Sequence, residues 1–518
     1  MNKKRFSINL IGQILAFVLT IGVSFFISPY IIRTLGDEAY GFVNLINNFV
    51  SYLSIVTVAL NGLCGRYITI AMHRNNEQEA NEYFSSVFGA NLLLAVASLA
   101  IVIFLSAHIT DFLDIPESLV VDVQFTTILA FGNFAVSLLG VVYGLSTFVK
   151  NKLYISALQN IIGKLIYTVI IAIAFLCFRP RMWFITMAAF GSTVFSLLSG
   201  VVITHKLTPN LKLSRLDFKT NKIFEIAKAG IWMTVESLNK LFQTGLDLLI
   251  TNVFVGAGPM GILSIAKTVP NMLTTLNSTI AGVYSPNYAE LYAQEKKGEL
   301  IANIKGSIKF LSFFMAVPLM GFLVFGSEFY SLWIPGKSKE EISFIQALSI
   351  LTVIPLLLNS FVEGMYYINV LTNKIKTSVL VTTGFSVLSI LTMIILLSVT
   401  NGYDLYIVAG VSSFYMAIRI VIFTPMYCAY ILKIPKFTFY PEIIRMGIST
   451  IIVFILFMAI HNVSIYNTWL KLCTVCVCAG ILGYFVEFLI ALNKKERTKV
   501  IMKIREGLKN NGQKNRMD

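Results

Sequence analysis

Charged residues are scarce in this chain. Of its 518 residues only 13% are charged, whereas a soluble protein of ordinary composition carries about 25%, and 56% are hydrophobic. The mean hydropathy is +0.76. So little charge excludes a soluble globular protein, and the composition predicts an all-α, polytopic membrane protein.

Cysteine and histidine are also few, and their spacing excludes several kinds of site. The six cysteines and four histidines are scattered, and Cys473-x-x-Cys476 lies in an apolar segment with no His or carboxylate ligand set nearby. Gly336-Lys337-Ser338 resembles the end of a phosphate-binding loop, but Ser331 stands where the first glycine belongs. The sequence therefore predicts no metal, no cofactor, no nucleotide site and no nucleic-acid partner.

Long apolar runs are what the chain has in abundance. They are long enough to cross a bilayer, they recur to the end of the chain, and short connections separate them. We expect about fourteen transmembrane helices. They are placed near residues 8–32, 42–71, 83–107, 119–148, 154–178, 182–204, 227–254, 261–285, 308–334, 342–371, 377–399, 404–432, 443–462 and 466–491.

The placement of Lys and Arg orients these spans. With the N-terminus in the cytoplasm, the inner segments hold 30 of the 41 basic residues and the outer segments hold 5. Such a bias is typical of correctly oriented membrane proteins, whose cytoplasmic loops are rich in Lys and Arg. We therefore expect both termini in the cytoplasm. The connection 205–226 and the tail 493–518 are basic with interspersed apolar residues, so we expect both on the anionic inner surface.

An internal repeat relates the two halves of the chain at an offset of 220 residues. Leu35-Gly36-x4-Gly41 matches Val255-Gly256-x4-Gly261, and both lie in the outer turn between the first two spans of a half. Because six spans per half is an even number, the halves run in the same sense and form a parallel repeat. The predicted lobes, 1–204 and 227–432, are related by a pseudo-two-fold axis along the membrane normal, and 443–491 adds two helices.

The seventh span is the most polar one. Glu236, Lys240, Gln243 and Asp247 fall on one stripe of a helix over residues 227–254. An unpaired charge at mid-bilayer costs about 2.5–3.5 kcal/mol, so this stripe is expected to face water or partner charges. The plainer alternative is an internal ion pair between Glu236 and Lys240, four residues apart.

Further polar residues lie inside other spans. Lys267, Glu363 and Arg419 make the second lobe the more charged one. Asn47 and Asn48 in the second span fit either helix–helix contacts or contacts to sugars. A cavity with more cations than anions suits a substrate that carries phosphate or acidic sugar. The candidates for lining such a cavity are Lys240, Lys267, Arg419, Lys164, Gln243, Asn47 and Asn48.

Local motifs carry a resemblance to a known family. Ile11-Gly-Gln, Ser28-Pro29-Tyr30-Ile31 and the turn Arg33-x-Leu35-Gly36-x3-Tyr40-Gly41 resemble the polysaccharide-export flippases of the multidrug/oligosaccharidyl-lipid/polysaccharide exporter superfamily. The resemblance extends over nearly the whole span pattern. The Leu-Gly-x3-Tyr-Gly turn is its most specific local element.

The resemblance implies two lobes around a central cavity, alternating access and a place in the bacterial cytoplasmic membrane. The implied cargo is a polyprenyl-pyrophosphate-linked oligosaccharide, moved from the cytoplasmic to the outer leaflet. A polysaccharide polymerase or assembly protein is an implied partner. If inward movement of H⁺ or Na⁺ drives transport, the candidate carriers are Glu236, Asp247 and Glu363.

Two other functions remain open at this point. A drug or metabolite exporter of the same superfamily would share the lobes, although a cationic cavity disfavours cationic drugs. A membrane glycosyltransferase or polymerase could use an acidic pair such as Asp37-Glu38, in a predicted outer loop of about nine residues. Because acidic residues are common in such turns and no large outer domain is present to hold an acceptor, we expect a transporter and not an enzyme.

Overall fold

The computed structural model describes the backbone of residues 3–491 and 497–498, with short gaps inside the first range. The gaps fall at 151, 242–244, 283, 285–286, 289–290, 293, 373, 401, 403 and 463–467. Side chains are described throughout these ranges except at 3–14, 16–18, 73, 240 and 491. The predicted tail 493–518 therefore lies almost entirely outside the described residues.

Contacts divide the chain into two compact units, residues 1–265 with 394–408, and residues 266–393 with 409–518. The first unit contains nine helices and the beginning of a tenth in its described part. They are α1 (Lys3–Leu35), α2 (Asp37–His73), α3 (Glu77–Ala107), α4 (Ile109–Phe112), α5 (Val120–Val149), α6 (Leu153–Cys177), α7 (Trp183–Leu207), α8 (Thr220–Lys240), α9 (Asp247–Phe254) and α10 (Ala257–Gly282).

The second unit holds most of the remaining helices. They are α11 (Lys297–Trp333), α12 (Lys339–Ser360), α13 (Tyr366–Leu371), α14 (Ile375–Val399), α15 (Asp404–Ile418), α16 (Thr424–Ile431), α17 (Tyr440–His461) and α18 (Trp469–Ala491). The C-terminal end of α14 and the N-terminal part of α15, within residues 394–408, belong to the first unit. A π-helical turn, Arg419–Phe423, joins α15 to α16.

The predicted all-α membrane fold is confirmed, and a helix lies at each of the fourteen predicted spans. Among the described residues, eleven helices are long and apolar enough to cross a membrane. They are α2, α3, α5, α6, α7, α11, α12, α14, α15 with α16, α17 and α18. Helix α1 contributes a shorter apolar stretch, Leu19–Leu35, while α8, α9 and α10 do not belong to this apolar group.

One connection differs from the sequence prediction. The predicted first outer loop of about nine residues is wrong, because Gly36 alone separates α1 from α2. Its φ of +89° is a conformation that glycine adopts without strain, and Asp37 and Glu38 form the first turn of α2. The Gly336-Lys337-Ser338 segment directly precedes α12, and Ser338 caps that helix in a reciprocal capping box with Glu341.

The basic connection between α7 and α8 covers residues 208–219 and folds back onto the beginning of α3. The backbone N–H groups of Lys212, Ser214 and Lys219 donate to Asn81, Ser85 and Ser86 over 2.8–3.1 Å. Leu211 is buried in a core with Ile68, Phe84 and Ile226. The basic side chains of this segment stay exposed. The connection is thus a strap docked on α3, and its exposed basic side chains remain available to a membrane surface.

Candidate functional site

A polar cavity of about 590 Å³ lies within the first unit. Helices α1, α2, α6 and α7 form its walls. Among its described lining residues there is one ammonium group, two amides and several hydroxyls, but no carboxylate. The lining consists of Thr20, Asn47, Asn160, Gly163, Lys164, Tyr167, Ile185, Thr186, Ala189, Ser192, Thr193 and Ser196. Such a surface suits an anionic ligand rich in hydroxyl groups.

Lys164 is the only charged residue of this described lining. It is half-buried, its Nζ lies 3.4 Å from Ser24 Oγ, and it stands 4.3 Å above the centre of the Tyr167 ring. Because Tyr167 follows by three residues on the same helix, both side chains lie on one face of α6. Tyr167 can stabilise the ammonium while leaving one side of it open to a ligand.

Gly163 explains why α6 and α7 meet at this lysine. A Cβ at Gly163 would lie 2.9 Å from Ser192 Oγ, so the two helices approach as closely as a glycine permits. Small residues allow such approaches between membrane helices. The close contact places the hydroxyls of α7 beside Lys164. Ser196 and Thr186 donate to carbonyls of their own helix at 3.1 Å, which satisfies them without a ligand.

The adjacent amides of α2 have different surroundings. Asn47 is exposed and lines the cavity. Asn48 donates to the carbonyl of Gly245 at 3.4 Å, and the Tyr52 hydroxyl donates to the same oxygen. Asn48 therefore contacts a neighbouring segment of the chain. Helix–helix contact was one of the two alternatives predicted for these amides. Asn47 has the position expected of a group that contacts a ligand.

The residues of the predicted stripe on the seventh span are divided between two α-helices. Helix α8 ends at Lys240 and α9 begins at Asp247, with a bend at Leu246, so Glu236 and Asp247 do not belong to the same α-helix. Glu236 is exposed, whereas Asp247 is 3% exposed and lies close enough to Tyr52 to affect it electrostatically. The Lys240 side chain and the whole of Gln243 lie outside the described residues.

Glu363 and Arg419 lie in the second unit, each at an interruption of helical structure. Glu363 begins a 3-10 turn after α12, and Arg419 begins the π-helical turn after α15. Asn359 donates to the Glu363 carboxylate, and the Tyr366 hydroxyl donates to Asn359 at 3.2 Å. The Arg419 guanidinium lies 5.6 Å from the centre of the Tyr366 ring and is 7% exposed. π-helical turns inside helices are frequent at functional sites.

Lys267 also lies in the second unit and is 8% exposed within α10. It is absent from the described lining of the 590 Å³ cavity. Of the residues predicted for a substrate cavity, Lys164 and Asn47 thus share one cavity in the first unit, while Arg419 lies near Tyr366 in the second.

Sequence reasoning missed most of the cavity lining because it followed charges. The lining residues that it missed are uncharged: Asn160, Thr186, Ser192, Thr193 and Ser196. The signal was the spacing of polar residues on α7, where 192, 193 and 196 recur on one face of an apolar helix. Sequence reasoning also passed over Glu487, a carboxyl that is completely buried in α18.

Comparison with known proteins identifies similar sequences and similar folds. An uncharacterized membrane protein EpsK of Bacillus subtilis strain 168 is 26% identical over 509 residues, which cover 97% of this chain and 98% of that protein. An inward-facing multidrug resistance MATE family transporter of the MOP superfamily has a TM-score of 0.66 at 14% identity, covering 83% of this chain and 98% of the other. The lipid II flippase MurJ has a TM-score of 0.61 at 14% identity, covering 88% and 97%.

At these identities the two solved structures show a shared fold. The family described as polysaccharide biosynthesis protein matches residues 7–292, more than half of the chain. The predicted resemblance to a polysaccharide family is confirmed, and the Leu35-Gly36-x3-Tyr40-Gly41 turn lies within the matched residues. This multi-pass membrane protein belongs to the polysaccharide biosynthesis protein family.

Proposed function

We propose that this protein is a flippase for polyprenyl-pyrophosphate-linked oligosaccharide repeat units. It moves them from the cytoplasmic to the outer leaflet by alternating access, in a bacterial cytoplasmic membrane with both of its termini inside. The family supports a role in polysaccharide biosynthesis, and one protein with the same fold is a lipid II flippase. The functional lobes in this proposal are residues 1–204 and 227–432, with 443–491 appended.

The observation that carries the proposal is the Lys164 cavity. A single half-buried ammonium among amides and hydroxyls offers charge to a phosphate or an acidic sugar and hydrogen bonds to the rest of a glycan. At an effective dielectric constant near 20, a charge pair at 4 Å contributes about 4 kcal/mol before desolvation is subtracted. The cavity can therefore favour an anionic head group while remaining weak enough to release it.

The composition of the cavity lining disfavours the alternative of a cationic-drug exporter. Cationic ligands need carboxylates or open aromatic faces. The described lining has no carboxylate, and the Tyr167 ring is already covered by Lys164. The glycosyltransferase alternative loses its acidic pair, because Asp37 and Glu38 belong to the first turn of α2.

Ion coupling is part of the proposal, with Glu236, Asp247 and Glu363 as the carriers. A mutant cycle separates a role in transport from internal pairing of Glu236 with Lys240. If the two only neutralise each other, Lys240→Gln is harmful alone and Glu236→Gln restores export, because no unpaired charge remains. If Lys240 serves the substrate, the double variant stays inactive at normal protein level.

The test of the proposed function is a deletion followed by complementation. Cells without the protein should accumulate lipid-linked oligosaccharide on the cytoplasmic leaflet, measured by its protection from an impermeant glycan-modifying reagent. Lys164→Gln should restore at least tenfold less export than the native protein does. A tenfold loss corresponds to about 1.4 kcal/mol of lost binding free energy. Lys164→Arg should retain more activity because it keeps the charge.

Lys150→Gln is the matched control, since Lys150 is exposed at the end of α5 and does not line the cavity. Protein in the membrane is measured for every variant. If the repeat unit reaches the outer leaflet in the deletion strain but is not polymerised, the enzyme alternative is correct and the flippase proposal is wrong.

A further inference from the structure

Asp114 and Asn252 hold two distant outer turns together by a reciprocal pair of hydrogen bonds. The backbone N–H of Asp114 donates to Asn252 Oδ1 at 3.0 Å, and Asn252 Nδ2 donates to the carbonyl of Asp114 at 3.1 Å. Asn252 is completely buried, so its amide cannot exchange these partners for water without movement. Both residues belong to the first unit.

The Asp114 carboxylate adds a third hydrogen bond in the same place. It accepts from the backbone N–H of Ala257 at 3.2 Å, the first residue of α10. A helix N-terminus has unsatisfied N–H groups and a positive dipole end, both of which favour a carboxylate. Gly256 has a φ of +122°, and a Cβ there would lie 3.3 Å from the carboxylate, so glycine makes room for this contact.

The two turns belong to different halves of the internal repeat. Asp114 lies in the turn between α4 and α5 of the first repeat, while Asn252 and Ala257 flank the turn between α9 and α10 of the second. In the topology deduced from the sequence both turns are on the outer side. The three hydrogen bonds, which we name the outer latch, therefore tie one repeat to the other where an outward opening would begin.

We propose that the outer latch is a gate that must break when the transport cavity opens to the outside. The inference rests on the proposed alternating access of a flippase. Asn252 is its buried anchor, and Asp114, which is exposed, is the part that water can reach and release. Breaking three hydrogen bonds is a small cost that the favourable interactions of a bound cargo can offset.

The test measures how fast a cysteine in the cavity reacts from outside. Thr193→Cys is introduced into the full-length chain after the six native cysteines have been replaced, and an impermeant maleimide is added to intact cells. Asn252→Leu, which removes both amide contacts, should accelerate labelling roughly tenfold, the factor expected for losing about one net hydrogen bond or more. Asn252→Asp should do the same, because a carboxylate oxygen then replaces the Nδ2 donor and faces the Asp114 carbonyl, which can only accept.

Gln124→Met is the matched control. Gln124 Nε2 donates to the carbonyl of Ser106 at 3.1 Å, so it is also an amide bound to a backbone carbonyl, but both partners lie in the first repeat. Its labelling rate should equal that of the parent. Asp114→Ala gives a second, surface-exposed variant that removes only the bond to Ala257, and it should accelerate labelling less than Asn252→Leu.

Unchanged labelling in Asn252→Asp and Asp114→Ala, with normal protein level, would overturn the latch. The measurement does not involve the glycan, so its outcome is independent of the proposed cargo. Faster labelling in a protein whose deletion leaves glycan export intact would support the latch and reject the flippase function.

Discussion

Asn44 Nδ2 donates to Ser264 Oγ at 2.7 Å, and these residues are 220 positions apart. That separation is the offset of the internal repeat, so equivalent positions of the two copies contact each other. Gly41 and Gly261, another equivalent pair, also touch, because a Cβ on Gly41 would lie 2.9 Å from Gly261 Cα. Contacts between equivalent positions are what a local two-fold relation produces near its axis. These two contacts are what the predicted repeat requires if its axis passes near them.

The glycine pair gives a first prediction. A Cβ on Gly261 would lie 2.6 Å from the Asp37 carbonyl oxygen, which belongs to backbone and cannot swing aside. Gly261→Ala should therefore lower the free energy of unfolding by about 1–3 kcal/mol, seen as a lower melting temperature in detergent. Gly384→Ala, in α14 with no neighbour within 4 Å, should be neutral or slightly stabilising. Equal melting of both variants would contradict the close packing.

Lys222, at the beginning of α8, gives a second prediction. Lys222 Nζ lies 2.9 Å from Glu79 Oε1 and 3.3 Å from the Tyr83 hydroxyl. Burial alone would lower the pKa of Lys222, but hydrogen bonds with Glu79 and Tyr83 outweigh it and raise the pKa above its ordinary value. A raised lysine pKa stabilises the folded state fully below the unfolded value of about 10.4, and this contribution is lost as pH rises through the folded value.

Lys222→Met should consequently destabilise the protein by about 1 kcal/mol at pH 7–9. The difference from the native protein should shrink above about pH 10.4. Lys228→Met, which removes an exposed lysine of the same helix, serves as the control. Melting temperatures measured across this pH range check the prediction, and a difference that grows at alkaline pH would contradict it.

Glu487 gives a third prediction. It is completely buried in α18, and neither carboxyl oxygen has a hydrogen-bond partner among the described residues. A bare carboxylate buried in this position would cost several kcal/mol, whereas an uncharged amide of the same shape would not. Glu487→Gln should therefore keep protein level and melting temperature, while Glu487→Lys should lower both. Lys471→Glu, an exposed charge reversal on the same helix, is the control. A Gln variant as unstable as the Lys variant would mean that the carboxylate is ionised and paired.

The topology gives a fourth prediction. Single cysteines at Glu117 and Lys339, both exposed in the structure, should react with an impermeant thiol reagent added to intact cells. Cysteines at the exposed positions Asn76 and Lys219 should react only after the membrane is made permeable. One position that behaves the opposite way would show that the span count is wrong between it and its neighbour.

The lengths of the apolar runs sufficed to predict where the long helices lie. The break between α8 and α9 could not be predicted from them. Its segment is apolar enough to be read as one helix, and what marks it is tertiary: Asn48 and Tyr52 both bind the carbonyl of Gly245. A backbone carbonyl that finds partners on another helix no longer needs its own helical bond.

The sequence by itself determined the membrane class, the helix positions, the repeat and the family resemblance, because these depend on composition, run length and local motifs. Only the tertiary structure decided which polar residues share a site. Lys164 and Ser192 are neighbours because Gly163 lets α6 and α7 approach. Asp114 and Asn252 pair across 138 residues of chain. Such pairs depend on helix packing, which a single sequence does not encode in any local pattern.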